Sequence, residues 1–341
     1  MDFDSRAIAA GFVATFAVLA ALLWFVGVGE IVAVLAALSP LAVVAVLAGG
    51  VVWLFSWGLA LRRVLDALGV EASPWDAFLL YAAAAFANNI TPFGQAGGEP
   101  FSALLISRAT DSEYEQGLAA IASLDTLNFV PSIVLALVGL SYYAARFAAG
   151  DSVLLVLAVV VALAVAVPTV GYVGWRHRDG IEARLARVVH PAWAALGRRL
   201  PMLSAPSSDT VRRRIDGFFR GIERVATSRR DLALALAYST IGWLCMCLVL
   251  YLSLWALTPM TDVNAAVVFV IVPVASIASI TPLPGGAGGV EAVLVLLLVP
   301  TTGITAATAT SAALVHRGAL YWSPTVIGGV AAAWLEARAR R

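Results

Sequence analysis

A short phrase rich in glycine and proline occurs twice in this chain, about half its length apart. Residues 90–100 read ITPFGQAGGEP, the first glycine phrase, and residues 280–291 read ITPLPGGAGGVE, the second glycine phrase. Each couples Thr-Pro, which ends a helix, to glycines and one glutamate within strongly apolar sequence. Irregular backbone at membrane depth is tolerated only where protein or a water-filled cavity covers it. Two such interruptions at matching positions are typical of a transporter built from internal repeats.

The composition places the chain in a membrane. Of its 341 residues, 61% are hydrophobic and 13% are charged, against about 25% charged in an ordinary soluble domain. Six apolar segments are long enough to cross a bilayer core of ~30 Å, which takes about 20 helical residues. They fall at about 8–27, 40–61, 117–145, 152–175, 232–257 and 304–336. The sequence therefore predicts an all-α polytopic membrane protein.

Four shorter apolar segments form two pairs, and each pair flanks one glycine phrase. They are 75–91 with 100–107, and 264–281 with 290–299. As helices, the second members would be only ~12–15 Å long, too short to span. We therefore expect six full spans plus two re-entrant helical hairpins, or eight membrane segments if the hairpins are counted as spans. The alternative is eight conventional spans with glycine-rich kinks.

Arginine positions orient the chain. Thirteen of the 22 basic residues lie between 176 and 230, so the loop 176–231 and both termini are predicted to be cytoplasmic. The order span, span, hairpin, span then repeats from opposite faces, as inverted repeats at about 1–147 and 152–341. We expect a single membrane domain over 1–341, multi-pass in the cell membrane. The basic loop suits anionic headgroups, and no nucleic-acid partner is expected.

Ionisable side chains inside apolar segments are candidate site residues. Glu99 and Glu291 close the two phrases, and Asp125 and Arg317 each follow 26 residues later. Such charges are costly in lipid and normally face the bundle interior with a partner. Two structural alternatives stay open. The glutamates could cap their own half-helices, and Asp125 with Arg317 could form an ion pair between the halves.

The remaining candidates follow from the backbone breaks. We expect Glu99-Pro100 to begin a half-helix, whose free N–H groups attract anions such as phosphate. The predicted substrate-binding set is Asn88, Gly97, Gly98, Glu99, Asp125, Asn128, Gly285, Gly286, Glu291, His316 and Arg317. For the glycines, tight helix packing or a hinge is the alternative. The excess of carboxylates over arginine suits proton or cation coupling.

Tryptophans near the predicted ends of spans are interpreted as anchors at the membrane interface. They are Trp53, Trp57, Trp175, Trp243, Trp255 and Trp322.

The motifs NITPFGQAGGEP and TPLPGGAGGVE, with Arg317 before Tyr321-Trp322, resemble the lysylphosphatidylglycerol synthase transmembrane region, a flippase-like membrane domain. The resemblance covers nearly the whole chain. It implies an inner-membrane protein that moves a polar-headed lipid between leaflets. It places functional weight on Gly97, Gly98, Glu99, Asp125, Gly285, Gly286, Glu291 and Arg317. We expect a stand-alone member without an aminoacyl transferase or glycosyltransferase domain, so sugar transfer would need a glycosyltransferase or another lipid-modifying partner.

The expected function is a lipid translocase for a phosphate-headed lipid, such as an anionic phospholipid or a polyprenyl-phosphate-linked sugar. The alternatives are a secondary transporter of a small polar solute and a non-catalytic membrane partner of a lipid-modifying glycosyltransferase. The sequence has no P-loop, HExxH or metal-spaced His/Cys cluster, so we expect no enzyme activity, metal or cofactor. A cavity that opens sideways into lipid favours the translocase, and one closed to lipid favours the solute transporter.

Overall fold

A computed structural model describes residues 27–91, 95–146, 208–258, 265–281 and 283–339, with isolated helical positions at 20, 24 and between 158 and 176. Almost all of the predicted spans 8–27 and 152–175, and much of the basic loop 176–231, lie outside the described residues. Within the described part, every regular element is a helix. The all-α fold class is therefore confirmed.

The first half contains five helices within the described residues, and polar caps fix where two of them begin. They are α1 (Val28–Ala36), α2 (Pro40–Leu68), α3 (Pro74–Ile90), α4 (Gln95–Thr110) and α5 (Tyr114–Arg146). Ser39 and Ser73 each accept a hydrogen bond from a backbone N–H of the first turn of α2 and α3. A proline follows each serine and presets the helical φ angle. Gly69 ends α2 in the left-handed conformation.

The second half continues with α6 (Ser208–Thr227), α7 (Arg229–Trp255), α8 (Val268–Ile277), α9 (Gly289–Thr302), α10 (Ala306–Arg317) and α11 (Ser323–Ala339). A π turn, Gly318–Trp322, joins α10 to α11 without a break. Extended backbone at Thr91 follows α3, as the Thr-Pro pair predicts.

Four stretches of the described residues are long and apolar enough to cross a membrane. They are Pro40–Leu68, Tyr114–Tyr142, Arg229–Trp255 and Pro284–Thr302. This confirms a polytopic membrane protein, while the number of spans and the re-entrant hairpins stay predictions.

The predicted lengths of the short segments are wrong. Segment 100–107 belongs to α4, with 16 residues, and segment 290–299 belongs to α9, with 14 residues. As helices these run about 24 and 21 Å. Glycine, threonine and glutamate interrupt an apolar run without ending the helix. The lengths of the apolar runs are therefore shorter than the lengths of the helices.

Helix pairs join the two halves in a reciprocal pattern. α2 packs along α7, α3 along α11, and α5 along α8. A two-fold exchange of the halves maps α2 onto α7, and maps the pair α3–α11 onto the pair α8–α5. This is the pattern that the predicted inverted repeat requires. It supports the repeat, which stays a prediction.

The seam between α2 and α7 forms the centre of the core. Leu61, Leu250 and Leu254 are fully buried there. Two side chains of α2 also bond the backbone of α7: Ser56 Oγ donates to the Tyr238 carbonyl at 2.7 Å, and Trp57 Nε1 donates to the Ser239 carbonyl at 3.2 Å. Polar groups inside a membrane protein need such internal partners. The two halves are thus held together along their central helices.

Candidate functional site

The second glycine phrase turns sharply before α9. Gly285, Gly286 and Gly288 have φ angles of 53°, 63° and 87°, in the region that residues with a Cβ rarely adopt. There is also no room for a side chain at Gly286, because a Cβ there would lie 2.6 Å from Ser279 Cα. The predicted need for glycine at 285 and 286 thus has a backbone reason.

Glu291 both caps α9 and forms an ion pair. Its Oε2 accepts a hydrogen bond from the Gly288 N–H at 2.7 Å. Its Oε1 accepts one from Arg317 Nε at 3.0 Å, and both side chains are buried. The capping alternative is confirmed for Glu291, and the same carboxylate neutralises Arg317.

Within the described part of the chain, the contacts that hold Arg317 come from its own half. Besides Glu291, its Nη2 donates to the Gly285 carbonyl at 3.0 Å, and its guanidinium carbon lies 4.3 Å from the centre of the Tyr321 ring. The alternative of an Asp125–Arg317 pair is therefore wrong. The physical reason is that α9 and α10 pack against each other, which brings Glu291 opposite Arg317. Within the described residues, Arg317 Nη1 makes no hydrogen bond.

Tyr321 links the second glycine phrase to the end of α3. Its hydroxyl lies 3.1 Å from the Asn89 carbonyl and 3.3 Å from the Pro284 carbonyl. The Asn89 amide donates in turn to the Tyr321 carbonyl at 3.2 Å and to Thr325 Oγ1 at 2.8 Å. We call this the Tyr321 latch. Tyr321 is absent from the predicted set, although its position four residues after Arg317 places both on one helix face.

The first glycine phrase differs from its prediction. α4 begins at Gln95, so Glu99 lies inside it and Pro100 is internal. The predicted start at Glu99-Pro100 is wrong, because an internal proline removes one backbone hydrogen bond and a helix can continue past it with a kink. Gly97 and Gly98 fall in the first turn of α4. A Cβ at Gly98 would lie 2.7 Å from the Asn88 backbone nitrogen, so for Gly98 the close-packing alternative applies.

A cavity of about 280 Å³ is lined by residues of both halves. Six of the predicted residues line it: Asn88, Asp125, Asn128, Gly285, His316 and Arg317. The other five do not: Gly97, Gly98, Glu99, Gly286 and Glu291. Of these, Glu291 orients Arg317, and Glu99 is within electrostatic range of Asp125. Within the described residues, no group of three His, Cys, Asp or Glu is placed to hold a metal ion.

One wall of the cavity is aromatic, and this wall was missed. Trp53, Trp57, Tyr81 and Trp243 line it, with neighbouring ring centres 5.4 to 6.4 Å apart. All four are more than nine-tenths buried. The interpretation of the three tryptophans as interface anchors is therefore wrong, since each lies near the middle of its long helix. For Trp53 and Trp243, the central position within the apolar segments 40–61 and 232–257 was a signal available in the sequence.

The other three tryptophans of that interpretation differ from these. Trp255 and Trp322 are exposed, while Trp175 lies outside the described residues.

The cavity reaches the apolar outer surface of the molecule. Phe129 on α5 and Ile277 at the end of α8 both line it, yet they are 43% and 40% exposed. Phe129 lies near the centre of the candidate span Tyr114–Tyr142. The cavity therefore reaches the outer surface at these two side chains of α5 and α8, beside the middle of a helix that is long and apolar enough to cross a membrane.

Comparison with known proteins gives two similarities. The family model described as the lysylphosphatidylglycerol synthase TM region matches residues 8–328. A UPF0104 membrane protein of Methanothermobacter thermautotrophicus is 30% identical over 128 residues, which is 38% of this chain and 36% of that relative. The alignment thus spans about a third of the relative's length.

Proposed function

The chain belongs to the family of the lysylphosphatidylglycerol synthase transmembrane region, and on that premise we propose that it moves a phosphate-headed lipid between the leaflets of the cell membrane. The observation that carries the proposal is the cavity between the two halves, which is lined by Arg317 and opens sideways at Phe129 and Ile277. A lateral opening lets a polar headgroup enter while its tails stay in the bilayer. A small soluble solute has no need of such an opening.

Arg317 is the proposed phosphate ligand. Glu291 and the Gly285 carbonyl take hydrogen bonds from Nε and Nη2, and the Tyr321 ring covers the guanidinium. These contacts fix the plane of the group and leave the Nη1 donors for the ligand. Guanidinium N–H groups match phosphate oxygens in geometry and charge. Glu291 partly neutralises the charge of Arg317. The phosphate is then bound less tightly and can be released, and a translocase needs both steps.

Movement of one half against the other is the proposed means of alternating access. The Tyr321 latch connects the second glycine phrase to α3 of the first half. Its release would free the phrase that positions Arg317. Asp125 lines the same cavity and lies in the field of Glu99, so we propose these two carboxyl groups as the site of proton coupling. We propose that both termini lie on the cytoplasmic side, and the arginine distribution supports this orientation.

Leaflet exchange in liposomes tests the proposal. Purified protein is reconstituted with phosphatidic acid labelled on an acyl chain, and dithionite bleaches the label of the outer leaflet. Transfer is expected to expose the protected inner-leaflet signal, and the double variant Arg317→Gln, Glu291→Gln is expected to abolish it. Absence of transfer for every anionic lipid, together with uptake of a soluble anion, would replace this proposal by a solute transporter.

A further inference from the structure

The cavity contains buried polar atoms that the described residues do not bond. Among those residues, Trp53 Nε1 and Asn128 Nδ2 have no hydrogen-bond partner, and neither ring nitrogen of His316 makes a hydrogen bond of ordinary geometry. The Met246 backbone serves at most one of those two nitrogens. All three side chains line the cavity and are 4 to 6% exposed. Buried polar groups are almost always bonded in native proteins, so these atoms point to a ligand.

The ring N–H groups of the other two tryptophans in the aromatic wall are bonded, which makes the pattern selective. Trp57 Nε1 donates to the Ser239 carbonyl, and Trp243 Nε1 donates to the Asn128 carbonyl at 2.9 Å. Ser239 Oγ donates to Asn128 Oδ1 at 2.6 Å, which fixes that amide and leaves its nitrogen unbonded. Of the three cavity tryptophans, Trp53 alone has no partner for its ring N–H among the residues that the structure describes. Simple aromatic packing would not distinguish it from the other two.

The chemistry of these atoms restricts the ligand. Trp53 Nε1 and Asn128 Nδ2 are donors, while a neutral imidazole offers one donor and one acceptor. A second buried cation beside Arg317 would be costly, which favours the neutral form of His316. Phosphate oxygens alone would leave the acceptor without a partner, and an ammonium group would leave the donors without one. A hydroxyl group both donates and accepts, so it serves every one of these atoms.

We propose that the cavity binds a lipid whose phosphate carries a hydroxyl-rich ring, either a sugar or a cyclic polyol. This inference rests on the proposed function and names its substrate class. The hydroxyl groups at the ring edge meet Trp53, Asn128 and His316, and the phosphate meets Arg317. The apolar faces of the ring lie against the aromatic wall. A mainly apolar pocket with a few convergent polar groups is the usual form of a small-molecule site.

A comparison of lipids with identical acyl chains tests the inference. Phosphatidylinositol, phosphatidic acid and phosphatidylethanolamine are labelled on an acyl chain and assayed in parallel in the same reconstituted liposomes. We expect phosphatidylinositol to be transferred fastest. The variant Trp53→Phe keeps a six-membered aromatic ring and removes the pyrrole ring with its N–H, so it should slow phosphatidylinositol roughly threefold to tenfold more than it slows phosphatidic acid. The matched control, Trp255→Phe, changes an exposed tryptophan outside the cavity and should alter neither rate.

The outcomes separate the two proposals. If the wild type transfers neither phosphatidylinositol nor the glycosylated polyprenyl phosphate faster than phosphatidic acid, or if Trp53→Phe slows all of these lipids equally, the hydroxyl-rich headgroup is overturned and the translocase stands. No transfer of any lipid would overturn the translocase and the headgroup assignment together. A glycosylated polyprenyl phosphate, assayed beside phosphatidylinositol, tells whether the preferred ring is carried on an isoprenoid or a diacylglycerol. Preference for either supports the inference.

Discussion

At the scale of single residues, the buried pair of Glu291 and Arg317 dominates the electrostatics of the second half. Both groups lost their water on folding, and each is compensated by the other and by backbone. A buried pair of this kind contributes little net stability, but removal of one member leaves a charge without compensation. The pair is thus fragile to single substitutions and tolerant of a matched double one.

We expect Arg317→Gln alone to destabilise the protein by about 3–5 kcal/mol. The double variant Arg317→Gln, Glu291→Gln should recover most of that loss, because no buried charge then remains at the pair. Thermal unfolding in detergent measures both. Arg338→Gln is the matched control, since its pair with Asp76 is exposed and should change stability by less than about 1 kcal/mol. Equal destabilisation by the single and double variants would contradict this account.

The glycine turn gives a second prediction at this scale. Gly286→Ala places a Cβ at a φ angle of 63° and against Ser279, and we expect a loss of at least about 1–2 kcal/mol from the strained conformation. Gly318→Ala is the control, because Gly318 has helical backbone angles and no neighbouring atom within 4 Å of the added Cβ. It should be neutral or slightly stabilising. Chemical denaturation measures the free energy of unfolding of the two variants. Equal stability of Gly286→Ala and Gly318→Ala would contradict the prediction.

Which residues meet was harder to predict than which residues matter. The spacing of 26 residues placed Glu291 and Arg317 in matching roles to Glu99 and Asp125, but the sequence does not state which charges pair. That depends on the packing of α9 against α10. The aromatic wall was missed for a related reason: tryptophan suits both the membrane interface and a buried pocket, and only depth along the helix separates the two.

At the scale of elements, the long helices were predictable and their limits were not. The apolar segments 40–61 and 232–257 correspond to α2 and α7, because long apolar runs can satisfy their backbone only as helices in a membrane. The predicted helix limits were wrong around the glycine phrases. There the backbone angles of individual glycines decide where a helix begins: Gly285 and Gly286 form a left-handed turn, whereas Gly97 and Gly98 are helical.

The Tyr321 latch gives a prediction for an element. Tyr321→Phe removes the hydroxyl that joins the second glycine phrase to α3, a loss of about 0.5–1.5 kcal/mol. Hydrogen–deuterium exchange of residues 283–289 should rise as a result. Tyr251→Phe is the control, since no hydrogen bond of its hydroxyl occurs in the described part of the chain. An unchanged exchange rate in Tyr321→Phe would show that the latch does not hold the phrase.

At the scale of the whole molecule, a cavity is shared between halves and open on one side. The sequence predicted that charged residues of both halves would converge, because an isolated charge in lipid is so costly. Asp125 and Arg317 do line one cavity without bonding each other. The position of the opening could not be predicted, since it depends on how far α5 and α8 separate.

Narrowing the opening tests its role. Ile277→Trp adds bulk at the mouth of the cavity, and we expect slower lipid transfer with unchanged thermal stability, because the site is partly exposed. Leu296→Trp is the matched control: Leu296 is 71% exposed on α9 and does not line the cavity. Equal transfer by the two variants would mean that lipids do not use this opening.

The π turn at Gly318–Trp322 has a consequence for helical phase. A π turn carries about one residue more than an α turn, which rotates everything after it by about 100° around the axis. α10 and α11 are one continuous rod, yet the side that carries His316 and Arg317 is out of step with the side of α11 that packs along α3. One continuous helical rod can therefore present two independent faces, with His316 and Arg317 toward the cavity and another face against α3 of the other half.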